Sequence, residues 1–129
     1  MKKDKEKRKY PRVRIYSPIS YICEDSEGNS LEQNMAVARD VSQSGIQIET
    51  FHMIQSNYIL LMFLDLYNNL IEARGRVIYC KKVEPRKYRT GVNLQGSNRD
   101  NIKFVRELVK SFHYKKETSQ MKITPSQTN

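Results

Sequence analysis

The sequence predicts an all-β domain, a barrel or a sandwich, followed by one amphipathic helix. Three observations carry that expectation. Six or seven short runs between Arg12 and Leu94 either alternate apolar with polar residues or are apolar throughout, as strands do. Turn-forming clusters separate them at short intervals: Glu24 to Ser30, Asp40 to Gly45, Asn68-Asn69 and Glu84 to Lys87. From Ser97 onward the apolar period lengthens from two to three or four residues.

In chain order, Val13, Ile15, Ile19, Tyr21 and Cys23 alternate with more polar neighbours. Pro18 interrupts this run, which suits an edge or a bulge because proline cannot donate to a ladder. Leu31 to Arg39 reads as a second strand, paired back on the first as a hairpin. Ile46, Ile48 and Thr50 then face one way, Gln47 and Glu49 the other. Tyr58 to Leu66 is apolar enough for a strand covered on both faces. Leu70 to Val83 forms a long strand, with Ala73, Gly75, Val77 and Tyr79 opposed to Glu72, Arg74 and Arg76. Gly75 marks a bulge or a tight bend of a closing barrel. Tyr88 to Leu94 is the last strand.

Over Ser97 to Tyr114, residues Ile102, Val105, Leu108, Val109 and Phe112 form the apolar face of a helix. Ser97 is its expected N-cap, and Asp100 sits where the helix dipole is positive. Covering the barrel's open end is the expected role of this face, with membrane or partner contact as the alternative.

The 129 residues amount to one domain. Residues 1–9 are expected to form a flexible basic arm, residues 10–114 the folded unit, and residues 115–129 a disordered polar tail. Of the net charge of +9, most lies at the start: residues 1–14 hold eight basic side chains and two acidic ones. A near-neutral globule with a cationic lead-in points to an anionic partner. Cys23 and Cys80 are too few for a disulfide framework and read as reduced structural thiols. No apolar stretch follows the basic N-terminus, so it is not read as a secretory signal. The longest apolar run, Ile59 to Leu64, is far short of the ~20 residues of a membrane helix. The expected location is the cytoplasm.

Catalysis finds little footing. His52 and His113 belong to no metal-ligand spacing, and neither a nucleophile elbow, a P-loop nor a dinucleotide fingerprint occurs. No enzyme activity and no cofactor are expected. Binding chemistry is better represented. Arg8 and Arg12 are four residues apart, and guanidinium forks match both phosphate and the O6/N7 edge of guanine. Asp40, Ser42 and Gly45 supply a carboxylate acceptor, a hydroxyl and a position open to close approach. A carboxylate suits a phosphate ligand poorly unless that ligand also offers N–H donors, as guanine does. Each charge-assisted hydrogen bond contributes about 1.5–3 kcal/mol. Ordering an arm costs about 2–5 kcal/mol. Two or three such contacts therefore suffice.

Arg8-x-x-x-Arg12 followed by Asp40-x-Ser42-x-x-Gly45 resembles the paired signature of PilZ domains, and Gly91-Val92-Asn93-Leu94 is similar to the segment that closes their barrel. The resemblance covers roughly residues 6–114. It implies a six-stranded antiparallel β-barrel of the split-barrel kind with a C-terminal α-helix. It also implies cyclic di-GMP as ligand, held between the N-terminal arm and the barrel surface. Arg8 and Arg12 would hold phosphates and guanine, with Asp40, Ser42 and Gly45 on the barrel side. Lys7, just ahead of the first arginine, would influence whether one ligand or a stacked pair is bound. A downstream protein partner is expected to read the occupied state.

Two other classes compete with this reading. A basic-arm RNA- or DNA-binding barrel would use Tyr16, Tyr21 and Tyr79 as stacking platforms, although at strand spacing these read better as core or rim. A ligand-independent adaptor would use the helix or the barrel face alone.

Overall fold

A computed structural model describes residues 12–123, with side chains as far as Tyr114. Six strands follow in order: β1 (Val13–Glu24), β2 (Ser30–Val41), β3 (Gly45–Thr50), β4 (Tyr58–Leu64), β5 (Leu70–Glu84) and β6 (Lys87–Leu94). All pair antiparallel and close a barrel in the order β1-β2-β3-β6-β5-β4. Helix α1 (Asn98–Ile123) completes the described chain. Closure thus decides for a barrel over a sandwich, and the six-stranded antiparallel barrel with a C-terminal helix is the fold.

The hairpins β1–β2 and β4–β5 are closed by the same device. Asp25 Oδ1 accepts the backbone N–H groups of Glu27 and Asn29 at 2.9 and 2.8 Å. Asp65 Oδ1 does the same for Tyr67 and Asn69 at 2.8 and 2.9 Å. The fourth residue of each turn takes a positive φ, 86° at Gly28 and 65° at Asn68, which glycine and asparagine tolerate best. Because the second turn already begins at Asp65, β4 ends at Leu64 and not at the expected Leu66. The donated N–H groups, those of Asn29 and Asn69 foremost, hold both carboxyls below their ordinary range.

Inside the barrel, Ile15, Ile19, Ile48, Ile59 and Leu61 are buried and belong to one core cluster. Burial pushes the Tyr21 phenol up to about 12, and the nearby Cys23 and Cys80 thiols add to it. Both cysteines are free and pack against this core. Pro18 lies beside the register shift between Arg14 and Ser17, and the β1–β4 ladder covers only Ser20 to Cys23, so its missing N–H falls outside that ladder. That β1–β4 seam is short. Arg74 of β5 spans it, with its guanidinium 3.9 Å from the Tyr58 ring centroid and two bonds of 2.9 and 3.0 Å to Glu24. The Arg74 bond in turn lowers the Glu24 carboxyl.

Gly75 has a different reason from the one expected. The ladder runs through it unbroken, opposite Ile59 and Leu94. A Cβ there would lie 2.2 Å from Cγ1 of Val92, whose side chain fills the space. The glycine is a packing requirement.

Helix α1 starts as expected, with Ser97 Oγ accepting the Asp100 N–H at 3.1 Å. Its buried stripe is Asn101, Phe104, Leu108 and Ser111, flanked by Val105, Val109 and Phe112, while Ile102 is exposed. The apolar periodicity misplaced the stripe because two of its members are polar. Asn101 is taken up by the β6–α1 connection, accepting the Gly96 N–H at 3.1 Å and donating to the Gly96 carbonyl at 3.2 Å. Phe104 packs edge-on against Phe63 of β4, centroids 5.3 Å apart. The helix also continues past Tyr114 to Ile123, beyond the apolar face read from the sequence. The sequence has good helix formers there and its next proline is Pro125.

Two outcomes follow from this packing. Gly75→Ala drives a methyl into Val92 and is expected to cost about 1–3 kcal/mol in urea unfolding, with a less than additive loss in the Gly75→Ala/Val92→Ala pair. Glu24, Asp25 and Asp65 all have depressed folded-state values. The stability they add is complete above their unfolded values near about 4 and is lost as pH falls through the lower folded values. Melting temperature measured against pH should therefore fall at the acid end, and less steeply in Asp65→Ala.

Candidate ligand-binding site

Two register shifts shape the outer surface of the barrel. Between β2 and β3 the pairing runs Val37 with Glu49, Ala38 with Ile48, then Asp40 with Gln47. Ala36 and Ala38 are buried, so uninterrupted alternation would send Asp40 inward as well. The extra residue turns Asp40 outward and brings Val41 into the core. In β5 the pairing with β6 passes from Val77 with Val92 to Tyr79 with Gly91. Ile78 is the added residue, Cys80 takes the next inward place, and Tyr79 faces outward. The expectation that Tyr79 shares the face of Ala73 and Val77 is thereby corrected.

Both outward residues line one cleft of about 180 Å³, together with Arg12, Ser42, Gly45, Gln47 and Asn93 among others. Arg12 directly precedes β1, whose first pair, Val13 with Val41, sets it beside the end of β2. The chain therefore enters the barrel at this corner. Arg8 and Lys7 lie outside the described residues. The segment Asp40 to Gly45 is not one turn: Asp40 and Val41 belong to β2, and the connection is Ser42 to Ser44. Ser42 donates its N–H to the Gly45 carbonyl at 2.8 Å, and Leu94 donates to the Ser44 carbonyl at 2.8 Å. The connection is thus tied to the end of β6.

Gly45 has an ordinary φ, and its side-chain space is limited by packing. A Cβ would stand 3.2 Å from the Val92 carbonyl oxygen and 3.8 Å from Ser42 Oγ. At Gly91, the Tyr79 ring occupies the place a Cβ would need. The phenol is fixed at its far end by Gln47, whose Nε2 donates to the Tyr79 oxygen at 2.8 Å.

Arg14 is the cross-strand partner of Asp40, its Nε 3.7 Å from Oδ1. With the arginine side chain largely in solvent, this pair is worth about 0–1 kcal/mol and leaves the carboxylate available. The corner therefore collects guanidinium donors, a carboxylate and a hydroxyl, two amides and an aromatic ring. That set can hold a planar, anionic ligand that also carries N–H donors. Neither histidine lines it, and among the described residues no group of three or more His, Cys, Asp or Glu is placed to hold a metal. No helix of the described residues is long and apolar enough to cross a membrane. Gln47, Asn93 and Tyr79 were not foreseen at this site. Gln47 was legible as an outward position of β3, whereas Tyr79 was concealed by the bulge.

Comparison with curated proteins gives no match. Among solved structures, the fold is similar to that of MrkH from K. pneumoniae in a complex with c-di-GMP (TM-score 0.54, 15% identity, 88% of this chain and 55% of that one). It is similar to the B. subtilis inhibitor of motility MotI/DgrA (0.55, 12% identity, 81% and 50%). It is also similar to the PilZ domain of YcgR from Escherichia coli with c-di-GMP (0.54, 10% identity, 88% and 98%). The chain spans about half the length of the first two. At these identities the likeness is one of fold. The family match is by sequence, runs over residues 6–111 and takes in both arginines, the Asp40 corner and most of the described helix. With barrel, helix and sequence in agreement, the chain belongs to the PilZ domain family.

Proposed function

We propose that this chain is a cytoplasmic receptor for cyclic di-GMP, which binds at the Arg12–Asp40 corner and reports its occupancy to a partner protein. One observation carries the reading: Arg12, Asp40, Ser42 and Gly45, drawn from two distant sequence motifs, line a single cleft. Cyclic di-GMP is the ligand named in the complexes of MrkH and YcgR.

In this reading Arg12 forks onto a phosphate or onto guanine O6/N7. Asp40 accepts the guanine N–H donors, and Ser42 bonds base or phosphate through its hydroxyl. Gly45 keeps the floor low, and the Tyr79 ring offers a face for a base. The cleft is smaller than the roughly 300–1,000 Å³ of most ligand pockets, so a dinucleotide resting on it needs a second wall. That role falls to the residues ahead of Arg12. Arg8 is four residues away, a reach of up to about 14 Å in extended chain. Lys7 beside it sets whether one ligand or two stack there. The function is binding without turnover, and the change of surface as the lead-in closes is what a partner reads.

Calorimetry of the full chain with cyclic di-GMP, GTP and cyclic di-AMP tests this, with binding expected for cyclic di-GMP alone. Arg12→Ala and Asp40→Ala should each weaken it about 10- to 150-fold, the equivalent of one charge-assisted contact. Tight binding that survives both substitutions refutes the site. Gly91→Ala displaces the Tyr79 ring while leaving the motif residues in place, and a severalfold loss of affinity without loss of fold is expected by the same titration.

A further inference from the structure

Alternation along a barrel strand should place polar residues outside, yet part of this surface does the reverse. Tyr16 and Pro18 of β1, Met35 and Val37 of β2, and Phe51 just past β3 line a groove of about 330 Å³, together with Arg86 of the β5–β6 turn and Lys87 at the start of β6. Tyr16, Met35 and Phe51 are 62%, 56% and 65% exposed. The register makes these neighbours, since Pro18 opposes Val37, Ser20 opposes Met35 and Val37 opposes Glu49. None of the five apolar residues belongs to the nucleotide cleft. Exposed aromatic and methionine side chains set in a concavity are the composition of a protein-binding hot spot.

The charge around the groove is net positive. Arg39 lies over the Tyr16 ring at 5.5 Å and bonds Glu49 Oε2 at 2.9 Å. Arg89 Nε approaches the same oxygen at 3.5 Å without making a hydrogen bond, so two guanidiniums share one carboxylate. Among the described residues Lys87 is answered only by Glu84, at 3.6 Å, and Arg86 adds a further cation. Four cations thus meet two carboxylates. A second copy of this chain, itself carrying +9, would bring cations against cations.

We propose that this groove docks an acidic polypeptide segment of another protein, which inserts apolar anchors between Tyr16, Met35 and Phe51 while its carboxylates meet Arg39, Arg86, Lys87 and Arg89. The groove supplies the apolar centre and the cationic rim that such a segment requires. The assignment stands apart from the nucleotide reading, because it uses none of that site's residues.

The test is NMR titration of the isotope-labelled full chain with two synthetic amphipathic peptides, identical in their Leu and Phe positions, one with Glu and the other with Lys at the polar positions. The Glu peptide should shift resonances at Tyr16, Met35, Val37 and Phe51, and the Lys peptide should not. Met35→Ser/Phe51→Ser, two exposed positions outside the core, should weaken the Glu peptide at least tenfold with an unchanged melting temperature, and Tyr16→Ser should act in the same direction. Arg12→Ala should leave peptide binding intact. Equal response to both peptides, shifts centred elsewhere, or full binding by the double variant overturns the proposal. So do binding of phosphatidylserine vesicles in place of the peptide, and self-association abolished by Phe51→Ser.

Discussion

Side chains along a strand alternate, so in a closed barrel one added residue reverses the inside–outside sense of everything beyond it. This protein uses that reversal twice on the same side. Without the shift near Arg39, the Asp40 carboxylate would point into a core made of Ala36, Ala38 and Ile48. Desolvating it there would cost several kcal/mol. Without the shift at Ile78, Tyr79 would compete for the inner space that Cys80 and Val77 share. The two bulges place a carboxylate and an aromatic ring outside, across β3 and β6 from each other.

The glycines of β5 and β6 complement those bulges. Gly91 gives the outward Tyr79 ring a bare strand to lie on, and Gly75 gives the inward Val92 a bare strand to press against. One residue apart on β6, Gly91 and Val92 face opposite sides of the wall, and each is fitted to a β5 residue by the absence of a Cβ on one partner. The wall can therefore be thin at the cleft and dense in the core. Gly45 serves the same economy of space where the Ser42–Ser44 connection meets the Val92 carbonyl.

Outside the barrel, two arginine–carboxylate arrangements each tie three strands together. Arg74 joins β5 to β1 over Tyr58 of β4, across the short β1–β4 ladder. Glu49 of β3 gathers Arg39 of β2 and Arg89 of β6, and is nearly buried beneath them. Glu49 lies two residues, about 7 Å, along β3 from Gln47. The ion cluster thus separates the cleft at Asp40 and Gln47 from the apolar groove at Val37 and Phe51. Two surfaces of different chemistry share β2 and β3, one polar and hydrogen-bonding, the other apolar with a cationic rim.

The residues themselves determined the element order, the turns at Asp25 and Asn68-Asn69, the Ser97 cap and the family, because these are local patterns or fixed spacings. Their resemblance to a known paired signature also grouped Arg8 and Arg12 with Asp40, Ser42 and Gly45. Where the count of two or of 3.6 is interrupted, local reading failed. The bulge that exposes Tyr79 leaves no mark on composition, and Asn101 and Ser111 look like surface residues until the helix packs on the barrel and buries them. Strand period alone left barrel and sandwich open, and the family resemblance implied the barrel; only tertiary structure decided the strand registers, the true stripe of the helix, and the meeting of Arg12 with Asp40 and Tyr79 in one cleft. The reason is that ladder register is a relation between strands, and a single strand carries no record of which residue its neighbour will leave unpaired.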